Sequence, residues 1–179
     1  MTKQSWIGIV GITLLASVCA ASAQQAEAPK GNPLDVIPDK MPFNIPYGEP
    51  ISLVRAQAAI TAAMAEAEQR GWALNVAVVD AGGNLVAFGR MDGAQLASIS
   101  ISEHKARAAA TFRRPTKVFE DGVQKSDNKY LLSLDGVIAS RGGIPLVEFG
   151  KLIGAIGCSG GAGSQDEAAC MVGAATINR

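Results

Sequence analysis

The chain carries a single imidazole, His104, and a scatter of arginines as its most distinctive chemical groups. His104 falls on a helix predicted over about 95–112. Ala97, Ile101, Ala108 and Phe112 share its side, and Glu103 with Arg107 reads as an outward i,i+4 pair. A histidine on an apolar helix face is ordinarily a satisfied core or interface residue. The same setting suits an axial ligand of a haem iron, which needs apolar walls and one nitrogen donor. Arg90, Arg113, Arg114 and Arg141 sit at element ends, where a guanidinium can hold a carboxylate, haem propionates included, through paired hydrogen bonds. Surface solvation is the ordinary role for each. Tyr47, Tyr130 and the methionines are further candidate iron ligands.

A second constellation runs from Gly154 to Ala174: the end of a buried strand, a loop with glycines at 157, 160, 161 and 163, then a helix. Strand, glycine-rich loop and helix N-terminus form the layout that cradles anions, so the N–H groups of Gly160 and Gly161 are candidate contacts for a small hydroxy acid. Neither nucleotide fingerprint is met, since there is no G-x-x-x-x-G-K-[ST] and no complete G-x-G-x-x-G. Ser164 with Glu167 reads as a capping box, and Asp166 and Glu167 in the first turn would repel a bound anion. A tight structural turn is the simpler reading. One histidine excludes a His-rich zinc site, no Cys pair has zinc-finger spacing, and no G-x-S-x-G elbow exists. Asp80, Asp92, Asp135, Asp166 and Glu167 lie where turn and cap duty explains them. No set of residues reads as catalytic.

At 179 residues the chain allows one domain with some length left over. Sixteen basic and sixteen acidic residues leave no global basic field, which argues against a nucleic-acid partner. Residues 1–23 read as a secretory signal peptide: Lys3, an apolar run from Trp6 to Val18, and Ala21-Ser22-Ala23 ahead of the cut. Cys19 raises lipid attachment, but Val18 is bulky where a lipoprotein signal wants a small residue. No other apolar run reaches membrane-spanning length, so a protein exported to the periplasm or secreted is expected. A disulfide is allowed there for Cys158 and Cys170. However, Cys170 sits about 9 Å up its helix, and bridging needs a Cα separation below about 7 Å, so two buried free thiols are the expectation.

These groups must be positioned by the intervening elements. Residues 24–49 form a proline-punctuated arm, apolar enough at Phe43, Ile45 and Tyr47 to lie on the domain or on a neighbouring subunit. In the domain, residues 50–179, Ser52 caps a helix that ends at Gly71, with Ala56, Ile60, Ala63, Met64 and Ala67 on one stripe. A hairpin follows over 72–91, turning at Asp80-Ala81-Gly82-Gly83-Asn84. After the His104 helix, Thr116 caps a short helix. Gly136–Ser140, Ile144–Glu148 and Lys151–Ile156 read as three strands, and a helix ends the chain. The order α-β-β-α-α-β-β-β-α predicts an α/β (α+β) domain with a mainly antiparallel five-stranded sheet flanked by helices.

Four segments together resemble the GlcG/HbpS-like haem-binding (haem-degrading domain) family: V-V-D-A-G-G-N-L-V-A-F-G-R-M-D-G-A (78–94), H-K-A-R-A-A-A-T-F-R-R-P-T (104–116), D-G-V-I-A-S-R-G-G-I-P-L (135–146) and I-G-A-I-G-C-S-G-G-A-G-S-Q-D-E (153–167). The similarity spans about Pro50 to Thr176, and the arm at 41–50 looks like the lead-in of exported members. The resemblance implies a profilin-like or Roadblock-like layered fold and a homo-oligomer, often an octamer. It further implies haem or tetrapyrrole binding linked to redox or haem stress, or else accessory duty in a catabolic pathway. Some relatives use a histidine on the first helix. None stands between Leu53 and Arg70, so His104 inherits the metal-ligand reading, with Arg107, Arg113 and Arg141 for the propionates.

Overall fold

Small residues decide where the second long helix can lie. Gly157 and Gly143 stand on adjacent strands, and a methyl group on either would come within 2.2–2.3 Å of a backbone carbonyl of that helix, at Ser102 and Lys105 respectively. With Ala77 and Ala155 beside them, these positions let the helix settle almost onto the sheet backbone.

The computed structural model describes residues 35–178. The predicted signal peptide, Cys19 and residues 24–34 of the arm lie outside them. Residues 35–39 belong to a unit, Met1–Asp39, separate from Lys40–Arg179, and are exposed. The larger unit comprises α1 (Leu53–Gln69), β1 (Asn75–Asp80), β2 (Leu85–Arg90), α2 (Ser98–Thr111), α3 (Lys117–Lys125), a 3-10 turn (Lys129–Ser133), β3 (Gly143–Glu148), β4 (Lys151–Ser159) and α4 (Gly163–Ala175). No described helix is long and apolar enough to cross a membrane.

The sheet is antiparallel in the order β2-β1-β4-β3. It has four strands where the sequence predicts five. Residues 136–140 form no ladder, because positive φ at Gly136 and Gly142 turns the chain at both ends of the segment. The Gly143 carbonyl that would serve a further strand accepts the Thr116 N–H instead.

Alternation along the central strands sends side chains to two layers. Val76, Val78, Ile156 and Cys158 join the layer of α1 and α4, while Ala77, Val79 and Ala155 meet Ala106, Ala109 and Ala110 of α2. Both faces of β1 and β4 are therefore buried, so neither reads as a half-solvated strand. On α1 the predicted stripe is the buried face, with Met64 partly covered, and Gly71 closes the helix at φ +70.

The close approach of α2 also buries Lys105, which is 1% exposed. Its ammonium donates to Asp166 Oδ2 at 2.8 Å and to the Cys158 carbonyl at 3.1 Å, tying α2 to α4 across the end of β4. Asp166 Oδ1 accepts the Gly161 N–H at 2.9 Å and draws the loop back onto the first turn of α4. This fold-back brings the Cα atoms of Cys158 and Cys170 to 5.7 Å, and the two form a disulfide. The expectation of free thiols is thereby corrected. The capping box also differs from expectation: the cap lies two residues earlier, at Ala162, with the Gln165 side chain accepting its N–H at 2.8 Å.

Removing one partner of a buried ion pair strands the other charge. Lys105→Met or Asp166→Asn is expected to cost about 3–5 kcal/mol in urea unfolding, and Lys105→Met with Asp166→Leu to recover most of that. Simply additive losses would show that the pair is not one unit. Closing a 12-residue separation, the disulfide contributes about 3 kcal/mol. Reduction before unfolding is expected to lower the urea midpoint accordingly, and an unchanged midpoint would contradict it.

Candidate functional site

α2 has an inner side and an outer side. The inner side is Ser98, Ser102, Lys105, Ala106 and Ala109, all buried. His104 lies on the outer, half-buried side, so the apolar face expected around it is not what surrounds it. The reason is steric: only the small residues, with a paired lysine, fit the gap above Gly143 and Gly157.

His104 lines a cavity of about 500 Å³ with Ser100, Glu103, Arg107, Asp135 and Gly136. Its Nε2 is 3.2 Å from the Gly136 carbonyl. A carbonyl only accepts, so Nε2 carries the hydrogen and Nδ1 is left with the lone pair. A second ring nitrogen bonded to a backbone carbonyl is how metal-ligating histidines are usually oriented. Arg107 shares the lining, and its Nε donates to the Gly83 carbonyl at 3.3 Å rather than pairing with Glu103. Glu103 and Asp135 give the cavity two carboxylates, which oppose an anionic ligand.

The other predicted contacts are elsewhere. Arg113, at φ +55, donates to the Ile45 carbonyl at 3.1 Å and stacks 5.4 Å from the Tyr47 ring centroid. Arg114 packs 3.7 Å over Phe43. Both therefore clamp the arm onto the end of α2. Arg141 pairs with Glu120 at 2.6 Å and Glu167 at 3.4 Å. The N–H groups that make the glycine-rich loop a candidate cradle are turned inward: Gly161 donates to Asp166 Oδ1, Gly160 also serves the Asp166 carboxylate, and the next N–H, of Ala162, goes to Gln165. Of the predicted residues, the His104 cavity thus gathers His104 and Arg107, while Arg113, Arg141, Gly160 and Gly161 serve other corners.

Two features escaped the sequence reading. No local spacing marks Lys105, which sits beside the alanines of α2. Tyr47 was only a spare ligand, yet it walls a second space, a crevice of about 420 Å³ with Ala81, Gly82 and Thr111. Proximity in space, not spacing along the chain, makes both of them matter.

The Arg141 corner carries a pH signature. Hydrogen bonding from the Arg141 side chain holds the Glu120 carboxyl below its ordinary 4.5, despite the opposing effect of burial. A depressed carboxyl stabilises the fold fully above its unfolded pKa and loses that contribution as pH falls through the folded value. Urea midpoints of the wild type are therefore expected to drop below pH 4.5 more steeply than those of Glu120→Gln. Parallel curves would remove the corner from the acid response.

The chain matches the family model described as haem degrading protein HbpS-like over residues 51–175. It is 38% identical over 109 residues to Protein GlcG of Escherichia coli, a match covering 61% of this chain and 81% of that protein. Among solved structures, a double mutant of Streptomyces reticuli HbpS gives a TM-score of 0.68 at 28% identity, covering 80% of this chain and 98% of that one. The PduOC:haem complex gives 0.65 at 30% identity, covering 72% and 96%.

Proposed function

The chain belongs to the HbpS-like family of haem-degrading proteins, and from that premise we propose that it is an exported, homo-oligomeric protein that binds haem or a related tetrapyrrole. The observation that carries this reading is its likeness, over most of the domain, to a structure that holds haem. The Cys158–Cys170 disulfide supports export, since such bonds persist in oxidising compartments.

On this chain His104 is the proposed iron ligand. The Gly136 carbonyl orients its ring and leaves Nδ1 as the donor atom, and Arg107 in the same lining suits a propionate. The residues present thus fit the group in ligand type and in one counter-charge. Glu103 and Asp135 weaken the fit at the anionic edge. When bound, haem would supply a redox-active iron. The chain would hold the ring and restrict solvent on the α2 side. A hydroxy-acid site at the glycine-rich loop has less support, because its donors are already engaged.

Titration of haemin into the purified protein, followed through the Soret band, tests both parts. A saturable band is expected for the wild type, shifted and weakened by about tenfold in affinity for His104→Ala. No saturable band in the wild type would end the binding reading. An unchanged band in His104→Ala would remove only the ligand assignment.

A further inference from the structure

We infer that the crevice between the arm and the β1–β2 turn is a binding site for a flat apolar ring bearing a carboxylate. The crevice exists because β1 stops at Asp80, opposite Gly154, while β4 runs on. Beyond that point residues 46–51 take the place of β1: Leu152 donates to the Pro46 carbonyl, Gly48 to that of Leu152, and Ile51 to that of Ile153. Arm and turn then diverge and leave the space lined by Tyr47, Ala81, Gly82 and Thr111.

The lining is largely carbon. Thr111 turns its hydroxyl onto the Arg107 carbonyl at 2.9 Å, so its methyl faces the turn beside Gly83. Tyr47 is 52% exposed, and its hydroxyl donates to the Thr111 carbonyl at 3.3 Å. Two guanidinium groups flank this floor, Arg113 against the Tyr47 ring and Arg107 at Gly83. Neither forms an ion pair with a carboxylate among the described residues. Asp80, the acid of the adjoining turn, directs its oxygens into that turn, accepting from the N–H groups of Gly82 and Asn84 and from the Asn84 amide. An aromatic wall, a carbon floor and two flanking guanidinium groups favour a planar anion over a neutral ring.

The proposal does not need the haem reading: Tyr47, Ala81, Gly82 and Thr111 are all absent from the His104 cavity, and only Arg107, which flanks the crevice at Gly83, also borders that cavity. The same chemistry occurs at the propionate edge of a tetrapyrrole and in a free aromatic acid. Three probes separate these cases: benzoate, benzyl alcohol as its neutral counterpart, and iron-free protoporphyrin IX, which offers no metal to His104.

Ligand-observed NMR on the full chain is expected to show saturable benzoate binding at least about tenfold tighter than benzyl alcohol. Tyr47→Ala and Ala81→Phe are each expected to weaken it about tenfold or more, and His104→Ala to leave it unchanged. Ala81→Phe fills the crevice from the turn side and leaves every residue of the arm unaltered, so it reports on the site even if Tyr47→Ala loosens the arm. Protoporphyrin binding that Ala81→Phe abolishes supports the site and identifies the tetrapyrrole source. Benzoate binding alone supports it with a free acid as the source. Equal binding of acid and alcohol, no binding of either acid, or indifference to Ala81→Phe overturns it.

Discussion

The ion pair between Lys105 and Asp166 is the constraint from which the rest of the domain can be followed. A helix seated on glycine and alanine cannot give a lysine stem a route to water, and a buried ammonium without a counter-charge costs several kcal/mol. Asp166 supplies the counter-charge from the first turn of α4, which fixes where α4 begins relative to β4. Its second oxygen then gathers the loop at Gly161, and the gathered loop brings the two cysteines within bridging distance. Burial pushes the Asp166 carboxyl above its ordinary value although Lys105 and the Gly161 N–H pull the other way. The pair is thus better understood as fixing position than as adding net stability.

With the inner side of α2 committed in this way, ligand chemistry is left to the outer side. His104, Arg107 and Thr111 follow one another at i, i+3 and i+7 and so share a helix face. Each is supported by a backbone carbonyl or a turn that the sheet holds in place: His104 by Gly136, Arg107 by Gly83, and Thr111 by its own helix. Groups mounted on a packed helix keep their geometry better than groups on a loop. The glycine-rich loop, which looks most like a binding element in the sequence, has its donors spent on internal bonds.

Local patterns made much of the fold legible. The stripe of α1, its glycine stop, the hairpin turn at Asp80-Ala81-Gly82-Gly83-Asn84 and the order of the described elements, apart from the strand expected at 136–140, follow from periodicity and turn chemistry. What failed depended on distant partners. The segment 136–140 has strand-like composition, but turns at Gly136 and Gly142 lead it away from the β3 edge, where the Gly143 carbonyl is taken by Thr116 from 27 residues upstream, and composition does not reveal such a contact. Cys158 and Cys170 looked too far apart because the fold-back that joins them depends on an aspartate whose partner lies 61 residues away. The face of α2 was misjudged because Ile101 and Phe112 outweighed Ser102 and Ala109 in hydrophobicity, whereas volume was the deciding property. Of the candidate site, the imidazole and one arginine could be read locally. The Tyr47 wall could not, since it depends on where β1 stops.

The substitution of residues 46–51 for β1 beside β4 bears on where this protein begins as a folding unit. Family likeness starts at residue 51, but the hydrogen-bonding groups of Leu152 are satisfied by residues upstream of that point. A polypeptide cut at the start of the likeness would bare an interior stretch of sheet backbone, a ready template for pairing with other chains. The evolutionary module and the physical one therefore have different first residues. The stretch between them contributes both the missing strand partner of β4 and the aromatic wall at Tyr47.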